Sequence, residues 1–203
     1  MKKYELTEET VTVYGKTLYR IRAVRDFGSV KTGEFGGYIE KEENLSHFGN
    51  AWVYDNAWVF GNAWVFDNAR VYDDTWVYGN ARVYDNAWVF GNAWVFGNAK
   101  VYDDAWVCGD AKVYGDAWVS GNAEVFNTRH FFVQGPIGSR NGFITFYRTK
   151  DNTVEVRCGC FSGSLQKFVD RVEETHGGSR YEKEYKLAAE LAKVCIRLEG
   201  ESR

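Results

Sequence analysis

From Gly49 to Phe126 the apolar and polar positions alternate with a period of six that never breaks. The units run GNAWVY, DNAWVF, GNAWVF, DNARVY and on to GNAEVF, thirteen hexads in all, with a weaker unit, ENLSHF, just before at Glu43–Phe48. Each hexad holds one short Ala-x-Val-aromatic stretch and a two-residue corner. Side chains alternate across a strand, so Ala51 and Val53 share one face while Trp52 and Tyr54 share the other. The Ala/Val face is small and nearly constant between units, which places it inward. Gly, Asn and Asp suit the corners because they tolerate positive φ and bond locally. A unit this short buries its apolar side only by stacking on its neighbours, which predicts a solenoid.

Sorting the hexads by threes sharpens this. Gly61, Gly79, Gly97 and Gly115 fall in one corner column, and Asp67, Asp85 and Asp103 in another, bounded by Gly49 and Gly121. A bare six-residue repeat gives no reason for that sorting; a coil of three hexads does. The phrase thus resembles the hexapeptide-repeat class, whose fold is the left-handed parallel β-helix. Asn50, Asn68, Asn86, Asp104 and Asn122 also align, which predicts amide ladders between coils. At about 4.8 Å per stacked strand the prism is roughly 20–25 Å tall.

The outward positions carry the aromatics, including all eight Trp of the chain. One face lines up Trp58, Trp76, Trp94 and Lys112 beside Phe60, Tyr78, Phe96 and Tyr114. The other two mix Trp with Arg, Lys or Glu. Large apolar patches are seldom left in water, so the first of these faces is the candidate binding surface, for a second copy, a terminal segment of the chain, or a ligand. The competing reading is that the aromatic rows stack on one another and only brace the coils.

Outside the repeat, residues 1–42 read as an N-terminal β cap, with two strands around Tyr14-Gly15-Lys16 and a Gly-broken segment after them. Residues 43–127 form the β-helix and 128–203 a small C-terminal α+β module. That module is read as ββαα: a hairpin of Phe143–Arg148 and Thr153–Cys158, preceded by an extended His130–Val133. A helix with Leu165, Phe168, Val169 and Val172 inward follows, then a second one opened by a Ser179/Glu182 capping box, with Leu187, Leu191, Val194 and Leu198 inward. The fold class expected is mainly β.

Composition narrows the functions. The net charge is −3, but it divides as +1 over residues 1–42, −7 over 43–126 and +3 over 127–203. An acidic prism argues against nucleic acid as a partner. Arg148, Lys150, Arg157, Lys167 and Arg171 make a candidate basic patch for a small phosphorylated ligand. No apolar run predicts a leader or a membrane span, and four Cys do not make a disulfide scaffold, so a reduced, cytoplasmic protein is expected. Cys158 and Cys160 read as paired core thiols. His47, at the inward aliphatic position of the weak hexad, His130 and His176 are isolated in sequence. No catalytic set, metal-ligand spacing or cofactor fingerprint is found.

The lead-in IRAVRDFGSVKTGEFGGYIEKEENLSHFGNAWVYDNA, Ile21–Ala57, resembles a subgroup of hexapeptide-repeat proteins found in bacteria and phage or prophage genomes. The stretch TFYRTKDNTVEVRCGCFSGSLQKFVDRVEETHG, Thr145–Gly177, is similar to C-terminal modules of phage-type repeat proteins. Members of the subgroup are often labelled acyltransferases from the repeat alone. The aromatic faces and the missing catalytic set lead to the expectation of a homo-oligomeric, non-catalytic binding scaffold, and the resemblance implies two others: a phage-encoded antagonist of host defence that blocks a host protein or sequesters a nucleotide signal, or an acyl-CoA-dependent acyltransferase using His47 or His130. The thirteen hexads contain no His and no inserted loop, so no catalytic residue carries over.

Overall fold

A computed structural model describes residues 2–199. The chain opens with an antiparallel hairpin, β1 (Tyr4–Val13) and β2 (Lys16–Ala23), followed by β3 (Phe35–Ile39). Thirteen two-residue strands come next, β4 (Trp52–Val53) to β16 (Glu124–Val125), one per hexad. Each of the first ten pairs in parallel with the strand 18 residues on, Trp88 with Trp106 and Val89 with Val107 for example. The pairings form three sheets around one axis, β16-β13-β10-β7-β4, β15-β12-β9-β6 and β1-β2-β3-β5-β8-β11-β14. The molecule is therefore a three-sided parallel β-solenoid of about five turns.

The inward positions are those expected. Every repeat Ala and Val from Ala51 to Val125 is buried. The corners need positive φ, supplied by Gly61, Gly79, Gly97 and Gly115 in one column and by Asp67, Asp85 and Asp103 in another. A Cβ on Gly79 would lie 3.0 Å from the Gly97 nitrogen and 3.1 Å from its oxygen. In the Asp columns the carboxylate instead accepts the next coil's N–H, as Asp73 does from Gly91 at 2.8 Å and Asp103 from Gly121 at 3.1 Å.

The first coil is closed by the N-terminal segment. Trp52 is fully buried beneath Tyr4 and Phe27. β3 enters the solenoid by pairing in parallel with β5 (Trp58–Val59), so the cap also extends one sheet. In the weak hexad Leu45, not His47, takes the inward place: Leu45 is buried and bridges to Val65. The spacing to Val65 is 20 residues, as it is from Ile39 to Val59, whereas Val53 pairs with Val71 at 18, so the two extra residues lie between Leu45 and the first full hexad strand.

After the solenoid, β17 (Phe131–Ile137), β18 (Gly142–Arg148), β19 (Val154–Cys158) and β20 (Phe161–Ser164) make an antiparallel sheet in chain order, followed by α1 (Leu165–His176) and α2 (Arg180–Cys195). The extended His130–Val133 segment joins the expected hairpin as β17, and β20 is one strand more than expected. β20 reads FSGS, whose Gly and Ser look like a turn, yet it pairs as an edge strand on β19. One face of the sheet seats on the last coils through Phe131, Val133 and Tyr147. The other carries Ile144, Phe146 and Val156 against the helices.

α1 buries the expected stripe. α2 is rotated from expectation: Leu187, Leu191 and Val194 face solvent, at 70%, 47% and 81% exposure, while Ala188, Ala189, Ala192 and Ile196 are buried. Only Leu198 of the expected set packs on this core. The alanine face lets the helix approach closely, and two contacts at β17's end hold it there: Glu184 accepts from the Gly138 N–H at 2.7 Å, and the Tyr185 ring lies over Gly138. The capping Ser179 accepts from the Glu182 N–H. Cys158 is half-buried at the end of β19, but Cys160 lies in the following turn and is exposed, so the two thiols do not pair in a core. No helix among the described residues is long and apolar enough to cross a membrane.

Candidate functional site

The aromatic face lies on the sheet that contains β5, β8 (Trp76–Val77), β11 (Trp94–Val95) and β14 (Lys112–Val113). Parallel register stacks its rings directly. Trp58, Trp76 and Trp94 are spaced 4.8 and 5.0 Å apart, and the Lys112 ammonium caps the row 4.6 Å from the Trp94 ring. Beside it, Phe60, Tyr78, Phe96 and Tyr114 stack at 5.0, 5.0 and 5.5 Å. Stacking hides ring faces and leaves edges, so the three Trp are half-buried rather than open.

The hairpin β1–β2 covers the upper part of this face. Val13 and Leu18 bury Phe60 together with Tyr38, and Tyr14 reaches Phe60 and Trp76. No ring contact from the hairpin is seen at Trp94 or Phe96 among the described residues. At the lower end Tyr114 remains 42% exposed although Phe131 meets its edge.

The basic residues chosen from sequence separate in space. Arg148 is buried, bound to Glu124 and Glu199 and lying 4.9 Å from the Phe126 ring. Lys150 sits exposed in the β18–β19 turn and Lys167 is exposed on α1. Arg157 and Arg171 both line a cleft of about 760 Å³ between the last coil and the C-terminal module. Arg140, Trp118, Tyr185 and His176 also line it and were not anticipated. The available signal was the Gly138-Ser-Arg-Asn-Gly142 turn, which projects Arg140 from a β-hairpin.

The histidines fall into different surroundings. His47 stacks on Tyr4 at 4.3 Å, and its Nδ1 accepts from the Lys3 N–H. His130 is buried; its Nδ1 accepts from the Phe126 N–H at 3.2 Å and its Nε2 meets the Asn127 amide. Burial, and then the nearby Arg148 charge, holds this imidazole below its usual value. Both rings are thus engaged locally. His176 packs on Tyr181 and Tyr185 at the cleft wall. Burial pushes the Cys158 thiol up, despite a hydrogen bond to Tyr185 that acts the other way. A raised thiol is a poor nucleophile at neutral pH. No cluster of metal-ligating side chains occurs among the described residues.

Residues 63–79, 77–91 and 81–96 match the model of the YdcK β-solenoid repeat. The match lies within the solenoid and agrees with its three-sided, hexad-per-strand architecture. A curated protein of Escherichia coli (strain K12), described as the uncharacterized acetyltransferase YdcK, is 38% identical over 63 residues. That match covers 27% of this chain and 19% of the other protein, so it spans less than a fifth of that relative's length.

Proposed function

We propose that the protein is a non-catalytic β-solenoid scaffold that assembles with a second copy of itself through the lower part of its aromatic face. The observation that carries this reading is the ladder below the hairpin: Trp94 and Phe96 continue the stack beyond the hairpin's ring contacts, and Tyr114 ends it exposed. The rings are held by neighbours in every coil, so docking on them costs little side-chain entropy. Aromatic edges beside a lysine also suit the composition of an interface core and its polar rim. In solution the wild-type chain should be a dimer or higher oligomer by analytical ultracentrifugation. Trp94→Glu with Phe96→Glu should be monomeric with unchanged circular dichroism. A monomeric wild-type chain would overturn the reading.

The similarity to a protein described as an acetyltransferase favours a second reading, acyl transfer from acyl-CoA. His47 and His130 do not serve it well, since their ring nitrogens are engaged. His176, at the cleft wall, is better placed for a base. Acetyl-CoA hydrolysis or transfer that disappears in His176→Asn would favour this reading. Activity unchanged by that substitution would remove His176 from it.

A further inference from the structure

We propose that the cleft between the last coil and the C-terminal module binds a small organic phosphate carrying a flat ring. The inference concerns a different surface from the assembly face and does not rest on it.

The cleft's volume of about 760 Å³ falls within the range of small-molecule sites, roughly 300–1,000 Å³. Its charge is unbalanced. Arg140, Arg157 and Arg171 line it against one carboxylate, Asp116. Asp116 already accepts from the Asn98 amide at 3.0 Å. Arg171 is paired with Glu174 in solvent. Neither Arg140 nor Arg157 has an ion pair among the described residues. Three guanidiniums against one carboxylate, two of them without an ion-pair partner among the described residues, favour an anion in this concave, partly apolar site, and their planar forks match phosphate oxygens.

Arg157 is also aimed. β19 lies between the module's helices and the solenoid, and alternation turns Arg157 toward the solenoid while Val156 faces the helices. Its Nε donates to the Tyr102 hydroxyl at 2.7 Å, and the guanidinium lies 5.3 Å from that ring. Only Nε is used there, so the two terminal nitrogens remain to donate. A guanidinium already held in place loses little freedom on binding.

The rest of the lining selects for a ring. Phe161, Phe168, Tyr185 and His176 form one edge-to-face and tilted aromatic series, with centroids 5.5, 5.8 and 5.6 Å apart in turn. Trp118 and the partly exposed Phe143 contribute from the solenoid and β18. A bare phosphate would leave these surfaces wet, whereas a ring attached to the phosphate would cover them.

Isothermal titration calorimetry of the full chain with AMP, UMP and phenyl phosphate, against inorganic phosphate and adenosine, tests this. At least one ring-bearing phosphate should bind at least about tenfold more tightly than inorganic phosphate or adenosine. Arg140→Gln, in an exposed turn, should weaken that binding at least about tenfold without changing the circular dichroism. Arg157→Gln should do the same, and Arg157→Lys should recover part of the loss. No binding by any ring-bearing phosphate, equal binding of inorganic phosphate, or binding indifferent to both substitutions would overturn the proposal.

Discussion

Thr75 stands where every other hexad has Ala. It is fully buried, and its Oγ1 has no hydrogen-bond partner among the described residues. An unsatisfied buried hydroxyl costs about 1–3 kcal/mol, and alanine fits that site in all neighbouring coils. Thr75→Ala should therefore raise stability by about 1 kcal/mol in urea unfolding. Lys3 is the second residue out of keeping with its surroundings. Its amine is buried against the Ala51 carbonyl and the Phe27 ring. Burial, and then the Arg25 charge, pull it from 10.5 down to about 7. Between those values the unfolded chain holds the extra proton, so stability rises with pH from about 7 until thiols ionise near pH 9. Below 7 both states are protonated and the dependence vanishes. The urea midpoint of the wild type should climb between about pH 7 and pH 9, and Lys3→Met should flatten that climb.

The amide ladders show how one coil is tied to the next. Asn50 donates to Asn68, Asn68 to Asn86, and Asn86 to Asp104, at 3.0, 3.2 and 3.1 Å. The neighbouring ladder runs Asn62, Asn80, Asn98, Asp116. Each ends on an aspartate, which accepts but has no proton to pass on. Asn86→Ala should break its ladder at two bonds and cost about 1–2 kcal/mol, read as a lower thermal midpoint. These elements were legible in sequence because every coil residue has a vertical neighbour of known identity; period and column sorting together specify the register. The ends were not legible for the same reason. Leu45 displaced His47 from the core through a phase shift that no repeat announced. α2 buried its alanines instead of Leu187, Leu191 and Val194 because its Glu184 and Tyr185 dock on Gly138, a contact from outside the helix that sets its rotation. The cleft depends on a turn, a strand and two helices meeting the last coil, and only Arg157 and Arg171 of its three arginines stood out beforehand.

For the whole molecule, eighteen residues and not six should be the unit of folding. Local sequence makes no such distinction, since deleting residues 92–97 leaves Gly91 followed by Asn98, an ordinary Gly-Asn corner. Stacking does make it. That deletion turns every later strand onto the next face. The contacts of the C-terminal sheet with the last coils lie beyond the cut and turn with it, but the stacked rows across the cut are broken, with Lys100 facing Trp76 in place of Trp94. Deleting residues 80–97 removes a full coil and keeps every column and docking contact in register. In a solenoid, stability is close to a sum over coils and their interfaces. The eighteen-residue deletion should give a cooperative protein with a modestly lower urea midpoint. The six-residue deletion, though it removes a third as much chain, should cost about 3 kcal/mol or more and blunt the transition. Equal stability of the two variants would mean that the hexad, not the three-sided coil, governs how this chain holds together.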